Sequence, residues 1–278
     1  MAITAAQVNE LRQKTGVGMM ECKKALTACE GNLEAAIEYL RKSGIAKAAK
    51  KAGRSATEGK FAVASRDGVT AMVEVLCETD FVAKTAEFTA LANAAAEKAL
   101  TDFTEDGDIS AKLAELMSDD LKILIAKLGE NMHIRRALRW QAGPGCQIGT
   151  YLHTGVPYGV MVEVAGECDA KLLNNICLHV CASNPAYIAP ENVPAELIAK
   201  EKEIAAAQPK LQGKPAKMLE GILNGMINKW FGEICLVNQP WIEDDKTTLA
   251  KAHPGVTVKR YVRFQAGEEL AGEAKEEA

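Results

Sequence analysis

The cysteines offer one suggestive chemical grouping, Cys177-Leu-His179-Val-Cys181. On a helix Cys177 and Cys181 share a face while His179 points elsewhere. No second ligand pair follows at zinc spacing, so the trio reads as core residues. Gly213-Lys-Pro lacks the upstream glycine and the Ser/Thr of a phosphate loop. Gly16-Val-Gly18-Met-Met-Glu21 departs from the dinucleotide fingerprint at its third glycine, and Gly143-Pro-Gly145-Cys-Gln-Ile-Gly149 has the wrong spacing and reads as a flexible connector. Neither a nucleophile elbow nor a zinc-protease helix motif occurs. His133, His153, His179 and His253 have no evident catalytic companions. No catalytic residue, metal site or cofactor is expected, and the chain does not read as an enzyme.

The residues that stand out are Asp80 and Phe81, directly after Thr79 at a strand-to-helix junction. In one reading Thr79 or Asp80 is a helix N-cap and Phe81 covers the local core. In the other, a carboxylate and a ring project from a loop tip into another protein, where aromatic anchors are typical hot spots. Patterning alone does not decide between them.

The elements that carry these residues follow from periodicity. Thr4-Ala-Ala-Gln7 is a capping box, and Val8 and Leu11 continue a helix to Thr15. Gly16-Val-Gly18 breaks it, a second helix opens at Met19-Met20, and Glu30-Gly31-Asn32 turns into a third with Leu33, Ala36, Ile37 and Leu40. Three helices this short have little core, leaving apolar surface for a partner. Arg41 to Arg54, rich in Lys and free of acids, reads as a solvated linker, with an anion-binding strip as the alternative. Phe61-Ala-Val63, Arg66-Asp67-Gly68 and the alternation from Val69 to Cys77 predict a β-hairpin with a tight primed turn. A long Ala-rich helix with Phe88, Leu91 and Ala95 follows, then a helix from Leu113 to Leu128 closed by Gly129.

The later chain repeats this plan. Met161-Val-Glu-Val164 duplicates Met72-Val-Glu-Val75; Ile148, Thr150 and Leu152 mirror the first hairpin arm, and a helix with Leu172, Leu173, Ile176 and Val180 follows Cys168-Asp169. On this alignment Asp169-Ala170 stands where the first copy has Asp80-Phe81. Pro194 to Phe231 reads as a projecting helical hairpin broken at Gln208 to Pro215. Ile234-Cys-Leu-Val237 and Val256 to Phe264 read as strands, and the acidic end, including Glu268, Glu269, Glu273, Glu276 and Glu277, as disordered.

These segments make an α+β chain. Its 278 residues are 48% hydrophobic, 25% charged and 5% aromatic, with a formal net charge of −4. That composition excludes disorder and collagen-like structure and argues against bulk nucleic-acid binding. No stretch approaches the ~18 unbroken apolar residues of a membrane span, and the N-terminus lacks a secretion signal. The eight cysteines sit singly, as small buried hydrophobes do in a reducing compartment. A soluble, cytoplasmic chain is expected.

Two segments decide the reading of Phe81. Leu11-Arg-Gln-Lys-Thr-Gly-Val-Gly-Met-Met-Glu-Cys-Lys-Lys-Ala-Leu26 and Thr79-Asp-Phe-Val-Ala-Lys84 closely resemble the signatures of the bacterial elongation factor Ts family. Arg41-Lys-Ser-Gly44, Ala48-Ala-Lys-Lys-Ala-Gly53, Lys127-Leu-Gly-Glu-Asn131 and Gln239-Pro240 match in family order across essentially the whole chain. The resemblance implies a ubiquitin-associated-like N-terminal three-helix module with its linker (1–54), a duplicated hairpin-plus-helix core (55–140, then 141–193 with 232–264), an inserted helical hairpin (194–231) and an acidic tail (265–278).

The resemblance also implies guanine nucleotide exchange on elongation factor Tu, a GTPase, without direct nucleotide, nucleic-acid or membrane binding by the exchange factor itself. Residue by residue, it implies that Thr79, Asp80, Phe81 and Val82 intrude beside the partner's Mg²⁺ site, with Phe81 as the wedge and Asp80 disturbing the network around the ion. Leu128 and Gly129 match a second contact near the wedge. Arg12, Met19 and Met20 match the N-terminal docking surface, and His153 a core residue facing the partner's third domain. After Gln239-Pro240 the family often continues with apolar contacts, whereas here Glu243 follows Trp241-Ile242. Two other classes stand beside this reading: a metal-dependent enzyme using Cys177, His179 and Cys181, and a polypeptide-binding scaffold.

Overall fold

A computed structural model describes residues 3–211 and 215–270. It divides into two units, one built on Met1–Gln141 with Thr154–Pro157 and Gln265–Ala278, the other on Ala142–His153 with Tyr158–Phe264.

The first unit begins with α1 (Ala5–Thr15), whose Thr4 and Gln7 form the expected capping box and whose C-terminus is closed by Gly16 at φ 66°. Helix α2 (Met19–Ala28) and helix α3 (Leu33–Lys51) complete a small cluster around Leu11, Cys22, Ala25, Leu26 and Ala36. Here the structure departs from the sequence reading: α3 runs through most of the stretch expected to be a linker. Ala and Lys favour helix, Arg41 pairs with Asp119 at 2.7 Å, and Gly44 sits where a Cβ would come 3.1 Å from that of Ala126. The basic stretch is a packed helix because its small residues meet a neighbouring element.

Strands β1 (Glu58–Arg66) and β2 (Val69–Cys77) form the expected antiparallel hairpin. Asp67 and Gly68 both have positive φ, as a primed turn requires. After it come α4 (Asp80–Ala83), α5 (Ala86–Thr101), β3 (Gly107–Asp108), α6 (Ser110–Leu116), α7 (Ser118–Leu128) and β4 (Met132–Gln141). The single helix expected over Leu113–Leu128 is two, broken at buried Met117. The sheet has the order β1-β2-β4-β3, with Phe88, Ala92, Ala95, Ala96 and Ala99 of α5 and Leu113, Leu121 and Leu124 packed in its core. Within that sheet Glu74 faces Arg136 in register, accepts from its guanidinium and is buried.

The second unit carries β5 (Cys146–Leu152), β6 (Tyr158–Gly166), α8 (Ala170–Ser183), α9 (Ala195–Ala206), α10 (Ala216–Ile234), β7 (Pro240–Trp241), β8 (Asp244–Thr248), α11 (Leu249–Ala252) and β9 (Val256–Gln265). Its main sheet has the order β5-β6-β9, and Ile176, Cys177, Val180, Leu236 and Trp241 pack with β6 in the core. Buried Glu163 on β6 accepts from Arg260 on β9 at 2.6 Å. Helices α9 and α10 form the helical pair, α10 continuing past Phe231; the expected break falls partly on Gln212–Lys214, outside the described residues.

Two further expectations are corrected. Ile234–Val237 is no strand: it is the end of α10 and a single 3₁₀ turn, with one bridge between Tyr187 and Cys235. A short apolar run is equally suited to either state. The acidic end is ordered over its first residues: Gln265 ends β9, Gly267 N–H donates to Glu74 Oε1 at 3.1 Å, and Glu268 pairs with Arg136 at 2.6 Å. The carboxylates expected farther on, Glu273, Glu276 and Glu277, lie outside the described residues.

Candidate partner-binding site

The β2-to-α5 connection of the first unit is built by short-range hydrogen bonds. Thr79 is the N-cap of α4, its hydroxyl accepting from Val82 N–H at 3.4 Å. One turn later Thr85 caps α5, accepting from Phe88 N–H at 3.2 Å and donating to Val82 O at 2.8 Å. A four-residue helix would not hold by itself in water, but here each end is tied. Val82 packs against the core and Ala83 is buried. Helical spacing then turns Phe81 the other way, and it is 80% exposed, the highest value for a large hydrophobic side chain among the described residues.

Both sequence readings of this junction hold a part of the answer. Thr79 is a cap, and Phe81 is an exposed ring rather than a cover for its own core. Asp80 sits at the first helical position, a favourable place for a carboxylate. Lys84 donates to it at 2.6 Å and holds its carboxyl below the usual range, chiefly through that hydrogen bond. At neutral pH the turn therefore presents an ionised carboxylate beside a bare ring.

Behind the turn lies a pair of glutamates that sequence reasoning missed. Glu130 Oε2 accepts from Glu78 N–H at 3.1 Å and from Thr79 N–H at 3.0 Å, and Glu130 Oε1 accepts from Thr79 Oγ1 at 2.6 Å. In return Glu78 Oε1 accepts from Asn131 N–H at 2.6 Å. Asn131 Nδ2 donates to Ala52 O and Arg54 O, which fixes the other side of this clasp. Cys77 Sγ donates to Thr79 O at 3.2 Å, and burial, reinforced by the Glu130 charge, pushes its thiol up to about 12. The segment Lys127-Leu-Gly-Glu-Asn131 contains Glu130 and Asn131, but nothing in their types told that Glu130 would reach back to Thr79.

The other expected residues fall as follows. Leu128 is half-buried at the end of α7, and Gly129 closes that helix at φ 85°, directly before Glu130. Arg12, Met19 and Met20 are exposed on the three-helix cluster; the two methionines are 49% and 66% exposed and line a groove with Ile3 and Val8. His153 belongs to the second unit, where its Nδ1 lies 3.0 Å from Tyr151 Oη. Trp241 is buried and its Nε1–H donates to Glu243, leaving Ile242 exposed.

The alternative trio has a different environment. His179 is buried, lies 3.1 Å from Gln239 Oε1 through Nε2 and stacks on Trp241 at 5.2 Å. Burial pushes the Cys177 thiol up to about 12 and raises that of Cys181, the reverse of what a thiolate ligand needs. Among the described residues no group of three His, Cys, Asp or Glu could hold a metal ion, and no helix is long and apolar enough to cross a membrane.

Fold and site together define an α+β protein that carries its most exposed aromatic ring on a doubly capped, clasped turn. A family model described as Elongation factor TS matches residues 78–268. Curated relatives match nearly end to end. An elongation factor Ts of Thioalkalivibrio sulfidiphilus is 48% identical over 96% of this chain and 93% of its own length. One of Methylococcus capsulatus is 46% identical over 98% and 95%, and one of Vibrio vulnificus 44% over 96% and 93%. The chain belongs to the elongation factor Ts family.

Proposed function

We propose that this chain is the guanine nucleotide exchange factor for elongation factor Tu in translation elongation in the cytoplasm, and that the Thr79–Val82 turn is the part that works on the GTPase. The observation that carries the reading is the exposure of Phe81 on a turn held from behind. Family membership supports the partner and the reaction.

The action follows from linkage. Exchange factor and GDP that each weaken the other's hold on the GTPase do so reciprocally. Phe81 wedges into the GTPase beside its metal site, and Asp80 brings a negative charge toward the ligand network of the Mg²⁺. That ion is the largest local charge holding the diphosphate, so disturbing it loosens GDP. GTP, the more abundant nucleotide, refills the site and expels the exchange factor. No covalent step is involved.

The remaining surfaces serve docking. Met19 and Met20, flexible and polarisable, form with Arg12 the contact of a ubiquitin-associated-like module; Leu128 and Gly129 sit beside the wedge, and His153 faces another domain of the partner. The core is read as a duplication: each copy is an antiparallel hairpin followed by a helix, and each has a buried glutamate paired to an arginine on its third strand, Glu74–Arg136 and Glu163–Arg260. The proposed organisation keeps the segments 1–54, 55–140, 141–193 with 232–264, 194–231 and 265–278.

The test is release of labelled GDP from purified elongation factor Tu with and without this chain. Acceleration supports the reading; unchanged release at saturating chain removes it.

A further inference from the structure

We propose that Glu130 is the positioning residue of the wedge: it holds the turn in the shape that docks, without itself touching the partner. This rests on the exchange reading above.

The geometry is unusually one-directed. Three hydrogen bonds to the Glu130 carboxylate all come from Glu78 and Thr79, the two residues preceding Asp80. Hydrogen bonds to an ionised acceptor are the stronger kind. Phe81 is 80% exposed, so its place in space is set mainly by the backbone at 79–82. The Thr79 hydroxyl joins the two systems, accepting from Val82 N–H while donating to Glu130. Losing the carboxylate therefore frees the cap and the backbone together. Glu78 completes the arrangement from the opposite strand by binding the Asn131 amide, so neither side of the clasp moves without the other.

A preordered turn binds better because less disorder is lost on docking. Glu130→Gln keeps the size of the side chain and one accepting oxygen but places an amide N–H₂ against donors. Its expected effects are faster hydrogen exchange at the Glu78 and Thr79 amides and stimulated GDP release slowed about tenfold, the scale of one lost charge-assisted hydrogen bond. Because Glu130 acts only through the turn, the substitution should add nothing further in a Phe81→Ala background.

The test compares wild type, Glu130→Gln, Phe81→Ala and the double variant by amide exchange and by GDP release. Normal release by Glu130→Gln beside an impaired Phe81→Ala overturns the positioning role and leaves the exchange reading intact. A Glu130→Gln loss that persists undiminished on Phe81→Ala overturns it too, since Glu130 would then contact the partner directly. Normal release by Phe81→Ala removes the wedge and, with it, the purpose of the clasp. Should Glu130→Gln fail to fold, Glu130→Asp, which keeps the charge but shortens its reach to the Glu78 and Thr79 donors, carries the same comparison.

Discussion

Replacing Phe81 with alanine separates binding from folding. The ring is 80% exposed. Of the 150 Å² or more that a phenylalanine typically covers at an interface, about 120 Å² is therefore still open to solvent. At ~25 cal/mol per Å² its burial in a partner contributes about 3 kcal/mol. Lost from the docked state in which GDP departs, that amount slows stimulated release on the order of 100-fold. The covered fifth of the ring is worth less than about 1 kcal/mol to the chain's own fold by the same conversion, so the unfolding midpoint should barely move. The assay is the second-order rate of labelled GDP release from elongation factor Tu, with a urea titration of the variant alone. Release at the wild-type rate refutes the wedge. A large loss of stability refutes the exposure on which the calculation stands.

Asp80→Asn should slow GDP release with less than about 1 kcal/mol lost in stability, since the Lys84 pair and the helix-end charge it removes are on the surface; chelating Mg²⁺ should shrink the gap between variant and wild type, and a gap indifferent to Mg²⁺ would sink the role given to Asp80. Gly129→Ala should cost about 1 kcal/mol, because φ is 85° there although a Cβ would meet only Lys51 Nζ at 3.8 Å; equal urea midpoints would contradict this. His179 is held below its ordinary pKa, mainly by burial. The unfolded chain then binds the proton more readily, so the contribution is complete above the unfolded pKa of about 6.5 and is lost as pH falls below it. His179→Gln should flatten the decline in stability between pH 7.5 and 5.5, and an unaltered pH profile would count against a buried neutral imidazole.

The parts of the fold that periodicity and turn chemistry control were legible in the sequence. The Thr4–Gln7 capping box, the Asp67-Gly68 turn and the alternation of β2 are local, and each has one good solution. What was not legible depends on a distant neighbour. The basic stretch after Arg41 is helix because Asp119 and Ala126 meet it. Residues 265–268 are ordered because Glu74 and Arg136 hold them. Strand β4 announces itself poorly, with Arg135, Arg136 and Arg139 among its residues; two of these are buried, and Arg136 is paired. The site shows the same division. Resemblance pointed to Thr79, Asp80, Phe81 and Val82 and to an outward ring; its physical basis, Val82 and Ala83 taking the inward positions, was not in the sequence pattern. Glu130 was invisible as a functional residue, since its partners lie about fifty positions earlier.

Under the proposed duplication, the two hairpin-plus-helix units differ at the connection that carries the proposed wedge. Sequence alignment sets Asp169-Ala170 against Asp80-Phe81, yet the roles differ. Asp169 caps the long helix α8 directly, accepting from Leu172 N–H at 2.7 Å, whereas the long helix α5 is capped by Thr85. Asp169 lies six positions after Glu163 and Thr85 eleven positions after Glu74, so the first unit carries five more residues. The extra length accommodates α4, with a separate cap at Thr79 and a separate anchor at Glu130. On the proposed duplication, Phe81 is thus not a substituted position in a shared connection but part of an added turn. An exposed ring on an extra turn contributes little to its own core, while the caps and clasp that shape the turn are fully formed without any partner. Selection for folding alone gives no reason to build such a feature and then leave its largest side chain in water; a surface made to enter another protein does.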